Sequence, residues 1–285
     1  MTSSDLQILA AAALIFVPLE RLLPLHHHTR GPRAGLGIDV LHLFVSGLLI
    51  RGGALLTTLL LSWAAWSVVP SALQQSVRGQ PGWLQFVELL ILSDFAFYIA
   101  HRTVHSVDWL WRFHAVHHSS EQLDWIATYR VHPVDQIFNS TVIALPAIAL
   151  GFSSGPLLVY AFIYRWHAML LHSNVKVGFG ILGKLVASPR FHHWHHADET
   201  QAYNKNFGGQ LALWDRIFGT AYEQDALPSR YGSGGAVPAN YIEQIAGPFR
   251  TALTRPDGAA MASLADKRQE TGRRPEAARP FTTKG

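Results

Sequence analysis

Five long apolar runs form the framework of this sequence. They cover residues 6–25, 40–69, 83–100, 134–152 and 156–171. A helix needs about 20 residues to cross the hydrocarbon core of a bilayer, and the first three runs meet that requirement. The second run carries Arg51 and Gly52-Gly53 near its middle, so we expect it to kink or to consist of two pieces. The last two runs are shorter and flank a turn signal at 151–156, so they predict a helical hairpin that enters the membrane and returns.

Composition agrees with a membrane environment. Hydrophobic residues make up 49% of the chain and charged residues only 15%, whereas soluble domains average about 25% charged residues. The first run is preceded by Asp5 and lacks a basic segment and a small-residue cleavage site, so we expect a retained membrane helix. The predicted fold is therefore an all-α integral membrane protein with about four to five membrane-embedded helices.

Loop charges predict the orientation. The net charge is +4, and an outside N-terminus places Arg30 and Arg33 inside, the loop of Arg78 outside and the segments after His101 inside. This arrangement puts most loop Lys and Arg residues in the cytoplasm, as the positive-inside bias requires, and it puts the histidine-rich segments on one face. The chain after Arg255 is basic and without periodicity, so we expect disorder there. Its charge fits an anionic membrane surface, and no basic groove interleaved with aromatic residues suggests a nucleic-acid partner.

These patterns divide the chain into three parts. We expect N-terminal membrane helices over 1–80, a catalytic domain over 81–225 and a largely disordered extension over 226–285.

Cysteine and histidine contents restrict the chemistry. The chain has no cysteine, so disulfides, iron–sulfur clusters and thiol nucleophiles are excluded. It has 16 histidines, and twelve of them lie between His101 and His196. Such clustering is not required by an apolar composition.

Three histidine clusters have helical spacing. They are His101–His105 with spacing i, i+4, and two clusters with spacing i, i+3, i+4, at His114–His118 and His192–His196. Residues three and four apart share a helix face, so each cluster is expected to present two or three imidazoles to one point. A single pair could be a polar rim at the membrane surface, but three clusters on one membrane face favour metal binding. Imidazole suits iron, zinc, copper and nickel, and eight or more such ligands exceed the needs of one ion, so two metals are predicted. The predicted fold therefore includes a helical, histidine-rich cytosolic cap that holds a dimetal site.

The residues around these clusters resemble the fatty acid hydroxylase and sterol desaturase superfamily of membrane di-iron enzymes. The matching stretch runs from Asp94 to Tyr222 and includes Asp94–His105, His114–Ser119, Tyr129–Pro133, Leu171–Asn174, Pro189–His196, Asn206–Gly208 and Trp214–Thr220.

The resemblance implies that nine histidines bind two iron ions. They are His101, His105, His114, His117, His118, His172, His192, His195 and His196. It also implies that no catalytic group beyond the metal ligands is needed. Electrons would come from a separate redox partner, because the sequence shows no dinucleotide fingerprint, haem module or iron–sulfur ligands.

For several polar residues near the clusters, the sequence leaves two interpretations. His132 and His167 are either ligands or hydrogen-bonding neighbours of ligands. Asp94, inside an apolar run, either accepts an N–H from a ligand imidazole or pairs with an arginine such as Arg102 or Arg112. His193 is interpreted as a neighbour of the site, His26–His28 as polar residues of the membrane interface and His42 as a packed or capping residue. The segment Trp214–Thr220 is expected to close the fold.

The predicted function is O2-dependent hydroxylation or desaturation of a C–H bond of a membrane lipid. An alkylglycerol-ether monooxygenase and a sterol desaturase are alternatives within the superfamily. A membrane metal transporter and a membrane zinc hydrolase are alternatives of other classes. Because no HExxH motif occurs and the clusters lie beyond the helices, the sequence favours the oxygenase. We further expect the helix at 83–100 and the hairpin to enclose an apolar channel, and we expect a bacterial inner-membrane location with a cytoplasmic active site.

Overall fold

The computed structural model describes residues 3–27, 33–234 and 237–250. Within these ranges the chain is helical and contains no strand, only three isolated bridges. The helices are α1 (Ser3–Leu22), α2 (Leu36–Leu41), α3 (Gly47–Val68), α4 (Ser71–Arg78), α5 (Gly82–Ser106), α6 (Asp108–His118), α7 (Pro133–Leu150), α8 (Ser154–His172), α9 (Pro189–His195), α10 (Leu213–Ile217) and α11 (Tyr241–Arg250). Short 3₁₀ turns occur at Trp125–Tyr129, Gly180–Lys184 and Thr200–Ala202.

Three of the described helical segments are long and apolar enough to cross a membrane. They are Leu36–Val68, Gly82–Ser106 and Pro133–Leu150. All five apolar runs of the sequence form helices, with α1 and α8 as the remaining two. The prediction of an all-α protein with membrane-spanning helices is confirmed, and the number of spans agrees approximately with the number predicted.

The second span differs from its prediction in detail. The helix is continuous through Arg51 and Gly52-Gly53, and its irregularity is a π-helical turn at His42–Ser46 that joins α2 to α3. Gly53 serves a packing purpose, because a Cβ at this position would overlap Cδ1 of Ile137 on α7. The missing side chain therefore lets α3 and α7 approach closely.

Local signals fix the ends of the helices that carry the site. Pro133 opens α7, and Nδ1 of His132 accepts the backbone N–H of Val134. Gly151 ends α7 at φ 69°, a left-handed conformation that glycine adopts without strain, and thereby starts the hairpin to α8. Ser188 opens α9 by accepting the N–H of Phe191 at 3.2 Å, with Pro189 in the first turn.

The segment Trp214–Thr220 closes the cap, as its composition suggests. The carboxylate of Asp215 is fully buried and accepts the backbone N–H groups of Phe207 and Gly208 at 2.8 and 2.6 Å. It also accepts the hydroxyl of Thr220 at 2.6 Å. Burial raises the pKa of Asp215, while these three donors oppose that shift.

A buried ion-pair network joins α2 to the segment before α7. Asp39 is fully buried and binds both Arg33 and Arg130, and Arg33 also binds Asp124 at 2.7 Å. The network fixes the loop that carries Arg130, whose carbonyl contacts a histidine of the site.

The domain boundaries at 80 and 225 stay predictions. In the predicted extension, residues 241–250 form α11, which packs against α6 through Phe249 and Phe113 with ring centroids 5.1 Å apart. The predicted disorder after Arg255 lies outside the described residues.

Candidate metal centre

Nine buried imidazoles converge into two groups at the cap end of the helices. The larger group, here called the five-histidine group, contains His101, His105, His114, His118 and His195, and the four-histidine group contains His117, His172, His192 and His196. Within each group, the nitrogens able to bind a metal all lie within 4.8 Å of one another. All nine side chains belong to residues that are at most 8% exposed. These are the nine histidines that the sequence resemblance implies.

Each histidine cluster was expected to direct all of its imidazoles to one point, but the structure divides two of the clusters between the two groups. Successive residues on an α-helix are rotated by about 100°, so residues i and i+4 stay within about 40° of each other. The pairs His101/His105, His114/His118 and His192/His196 accordingly remain in one group each. The i+3 residue turns to the other side: His117 joins the four-histidine group and His195 joins the five-histidine group. Each i, i+3, i+4 cluster therefore contributes to both groups and holds them side by side.

The hydrogen-bond pattern of the rings fits a bound cation. In the five-histidine group, Nδ1–H of His101 donates to the carbonyl of Phe207 at 2.8 Å, and Nδ1–H of His114 donates to Asp135 at 3.1 Å. A neutral imidazole carries one proton, so Nε2 of both rings is then a lone-pair acceptor. Yet these two Nε2 atoms lie 3.1 Å apart. Two facing lone pairs repel unless a positive charge lies between them.

The four-histidine group repeats this pattern. Nδ1–H of His117 donates to the carbonyl of Arg130 at 3.1 Å, and Nδ1–H of His172 donates to the carbonyl of Ala168 at 2.8 Å. Their Nε2 atoms face each other at 3.1 Å, and Nε2 of His192 lies 3.0 Å from Nε2 of His172. The residues present therefore fit a metal ion in each group.

The sequence did not predict which groups accept hydrogen bonds from the Nδ1–H groups of the histidines. Asp135 in the first turn of α7 binds His114, and the carbonyl of Lys205 accepts Nδ1–H of His195 at 2.8 Å. The backbone carbonyls cannot be identified from the sequence. Asp135, however, follows the Arg-x-His-Pro motif by two residues, and this position could have marked it as a candidate acceptor. Such hydrogen bonds fix the tautomer and the ring orientation of a metal-binding histidine.

Burial lowers the pKa of several of these imidazoles. Desolvation lowers the pKa of His117 to about 4 and of His195 to about 3, against an ordinary value of 6.5. The pKa values of His118, His192 and His196 are lowered by the same desolvation and by neighbouring histidines. Nε2 of His118 and of His195 is buried without a hydrogen-bond partner. Uncharged, unpartnered nitrogens are ready to bind a metal.

The residues with open roles lie outside both groups. Both ring nitrogens of His132 are engaged, with the N–H of Val134 and with the carbonyl of Ile245 at 3.0 Å. Nε2–H of His167 donates to the carbonyl of Ala187 at 2.9 Å. Among the described residues, Asp94 has no hydrogen bond or ion pair with a histidine of the two groups or with an arginine. Its carboxylate instead accepts N–H groups of the segment 210–214, which anchors the cap to α5.

The remaining histidines have structural contacts. His193 is fully buried, and its Nδ1 lies 2.7 Å from the hydroxyl of Tyr231, which also lies 2.6 Å from Nε2 of His26. His42 is buried against the carbonyl of Val131 and the side chain of Gln244, in accord with a packed residue. His28 lies outside the described residues.

A small cavity reaches the five-histidine group from the cap. It is lined by His105, His118, His195, Trp111, Ala197, Tyr203, Asn204, Gly232 and Ser233. No residue of α7 or α8 lines it, so it is not the apolar channel expected between α5 and the hairpin. Aromatic side chains occupy that contact, where Phe97 on α5 meets Tyr164 on α8 with ring centroids 6.5 Å apart.

Comparison with known proteins agrees with this geometry. The profile of the fatty acid hydroxylase family matches residues 86–220, which contain all nine histidines of the two groups. This segment is therefore similar to fatty acid hydroxylases. It runs from within α5 to beyond α10 and includes the imidazole-bearing part of every helix that contributes to the two groups.

Relatives that match this part of the chain are named for lipid substrates. An ornithine lipid hydroxylase of Rhizobium tropici, OlsE, is 36% identical over 170 residues, which are 58% of this chain and 50% of that protein. The alkylglycerol monooxygenase of Homo sapiens is 32% identical over 152 residues, which are 53% of this chain and 33% of that protein. The alkylglycerol monooxygenase of Caenorhabditis elegans is 28% identical over 144 residues, which are 50% of this chain and 28% of that protein. The matched part spans half or less of the length of these relatives. No solved structure matches the chain significantly.

Proposed function

We propose that the protein is a membrane-bound di-iron oxygenase that uses O2 and external electrons to hydroxylate a C–H bond of a membrane lipid. The observation that carries the proposal is the pair of adjacent groups of buried imidazoles within a segment similar to fatty acid hydroxylases. The groups lie beside helices that are long and apolar enough to span a membrane, so a lipid is the substrate within reach.

The ligand set favours iron. Imidazole serves iron, copper, nickel and zinc, but a structural zinc site takes four ligands, and the five-histidine group offers five. A bound iron pair would supply the redox chemistry that activates O2 towards an unactivated C–H bond. Through acceptors at Nδ1, the chain itself holds five of the nine imidazoles in the Nδ1–H tautomer with Nε2 free for a metal, and it buries all nine away from bulk water. We assign no separate acid or base beyond these ligands.

The position of the ligands argues against transport. Transporters place their ion sites near the bilayer midplane on broken helices. Here His101 and His105 occupy the last two turns of α5, and His172 is the last residue of α8. An oxygenase with its site at the end of the membrane helices accounts for this placement.

The substrate class follows from the relatives and the setting. The relatives are named for ornithine lipids, alkylglycerols and fatty acids, which all combine a polar head with a hydrocarbon chain. We propose a lipid of this kind, oxidised from the cytoplasmic face of a bacterial inner membrane, with electrons from a separate redox protein. Ether cleavage of an alkylglycerol and desaturation of a sterol are the runner-up reactions.

A lipid mass comparison tests the proposal. Cells expressing the intact chain are compared with cells expressing His118→Ala, which removes one imidazole of the five-histidine group, and with His167→Ala, which lies outside both groups. A lipid heavier by one oxygen atom in the intact and His167→Ala cells, and absent with His118→Ala, supports hydroxylation.

Other products identify the runner-up reactions. A lipid lighter by two hydrogen atoms indicates desaturation, and a fatty aldehyde formed from supplied alkylglycerol indicates ether cleavage. Identical lipids in all three strains, together with no O2 consumption by the metal-loaded protein given reductant and the candidate lipids, would overturn the oxygenase assignment.

A further inference from the structure

Five large apolar side chains form an exposed patch on the cap. They are Ile181, Leu182, Leu185, Ile217 and Phe218, which are 80, 60, 49, 59 and 44% exposed. We call this set the apolar patch. Single exposed apolar residues are ordinary, but a group of this size on one surface marks a binding or membrane-contact site. Neither the metal groups nor the cavity uses these residues.

Two segments distant in sequence make the patch one surface. The side chain of Arg216 donates to the carbonyls of Lys184 and Gly183 at 2.9 and 3.4 Å. A bridge between Val186 and Leu211 joins the same two segments from the other end. The 3₁₀ turn Gly180–Lys184 is thereby held against the end of α10.

The patch lies at the depth of a membrane-spanning helix. The ring of Phe218 stacks on that of Phe95 with centroids 6.1 Å apart, and the indole N–H of Trp214 donates to Asp94 at 3.1 Å. Both partners lie in the middle of α5, within the candidate span Gly82–Ser106. On α5 itself, Ile91 and Ile99 are 43 and 45% exposed, one on each side of this contact along the helix. The apolar patch therefore continues the lipid-facing surface of α5.

Two cations border the patch. Lys184 and Arg216 lie in the segments that carry it, and Arg216 is also paired with Glu223 at 3.0 Å. Long basic side chains at the edge of a membrane-embedded surface extend their charges to lipid phosphates while their stems stay in apolar surroundings.

We propose that the apolar patch is a membrane anchor of the cap, with its five side chains in the hydrocarbon layer and Lys184 and Arg216 at the lipid headgroups. The cap would then be partly immersed in one leaflet beside α5, which would hold the metal groups close to the membrane surface. A lipid bilayer is the partner because the patch is continuous with a surface that already faces lipid. This inference does not depend on the reaction catalysed.

Site-directed fluorescence measures the depth directly, and the absence of native cysteine removes background labelling. The full chain with Ile181→Cys or, separately, Ile217→Cys is labelled with an environment-sensitive fluorophore in phosphatidylcholine–phosphatidylglycerol nanodiscs. Leu59→Cys on the exposed face of α3 serves as the lipid-facing control, and Gln201→Cys on the exposed Thr200–Ala202 turn serves as the aqueous control. Lipids brominated on their acyl chains are the quencher.

The expected result is quenching at positions 181 and 217 comparable to that at 59 and at least severalfold stronger than at 201. Quenching at both patch positions no stronger than at 201 would overturn the proposal. Self-quenching between labelled chains, or cross-linking between chains of the Ile181→Cys variant without acyl-chain quenching, would identify a second copy as the occupant and would overturn it as well. Because the readout needs neither substrate nor O2, its failure is distinguishable from a failure of the proposed oxygenase function.

Discussion

Nδ1–H of His114 donates to Oδ2 of Asp135 at 3.1 Å, which couples the five-histidine group to the first turn of α7. The carboxylate is itself held, because the side-chain amide of Asn139 donates to its other oxygen at 2.9 Å. His114 and Asp135 are both buried, so water does not compete for the contact. The ring of His114 is thereby fixed with Nε2 towards Nε2 of His101, where the proposed metal binds.

Replacement of Asp135 by Asn is expected to weaken metal binding by about 10- to 100-fold, the usual effect of losing the acceptor behind a metal-binding histidine. The amide cannot accept from both His114 and Asn139 as the carboxylate does. Chelator competition on the purified protein measures the affinity. Asp225→Asn, at an exposed carboxylate that pairs loosely with Arg190 at 3.7 Å, is the matched control and should bind metal normally. Equal affinities of the two variants would contradict the role of Asp135.

His118→Ala is expected to lower the metal content from about two ions per chain to one or none. Nε2 of His118 is buried without a hydrogen-bond partner and belongs to the five-histidine group, so this nitrogen is placed to bind a metal. His167→Ala removes a histidine that binds only the carbonyl of Ala187 among its described hydrogen bonds, and it should retain the full metal content. Elemental analysis measures the metal content per chain of both purified variants and thereby shows whether each histidine is a metal ligand. Undiminished metal in His118→Ala would remove His118 from the ligand set.

Metal binding is expected to resist mild acid. An ordinary histidine with a pKa of about 6.5 is about three-quarters protonated at pH 6 and then competes poorly for a metal. Burial lowers the pKa of His117 to about 4 and of His195 to about 3, so both rings stay neutral as the pH falls to 6. Proton competition at these rings begins only near the lowered values. Affinities measured at pH 7.5 and 6.0, corrected for the chelator, should agree within about threefold, and a loss of 100-fold would contradict neutral buried ligands.

Asp94→Ala is expected to destabilise the protein by about 3 kcal/mol, because it leaves one buried and two partly buried donors without their acceptor. These donors are the N–H groups of Gln210 and Leu211 and the indole of Trp214, at 2.6, 3.0 and 3.1 Å. Trp214→Phe removes only one donor and should cost about 1 kcal/mol through the hydrogen bond. Thermal unfolding in detergent compares the stabilities of the two variants with that of the unmodified protein. If the Asp94→Ala variant is as stable as the unmodified protein but has lost its metal, Asp94 instead has a direct role at the metal centre.

Gly53→Val is expected to destabilise the contact of α3 with α7 by about 1–3 kcal/mol, the usual cost of overpacking. Its Cβ would overlap Ile137, whereas a Cβ at Gly52 has nothing within 4 Å, so Gly52→Val is a matched control. Adding Ile137→Ala to Gly53→Val should restore part of the loss by making room. Unfolding temperatures of the four proteins test the contact, and equal losses for the two glycine variants would contradict it.

Helical periodicity made much of this protein predictable. The five apolar runs appear as helices, and three of them lie in described segments that are long and apolar enough to span a membrane, where the backbone must satisfy its hydrogen bonds internally. The i, i+4 histidine pairs stay together because one helical turn returns them to the same face. Side-chain type and short spacing thus singled out the three histidine clusters, while His172 was added by the family resemblance, and the ligand role of all nine histidines stays a prediction.

The tertiary structure decided what lies between these helices. The sequence alone did not show that His117 and His195 each turn to the other group, since that depends on where the partner helices stand. It also did not show that Asp94 binds the segment 210–214 while Asp135 binds His114, because both carboxylates sit in apolar helices and look alike locally. Which polar group meets which imidazole depends on contacts between distant segments, and sequence periodicity contains only the contacts made along one helix.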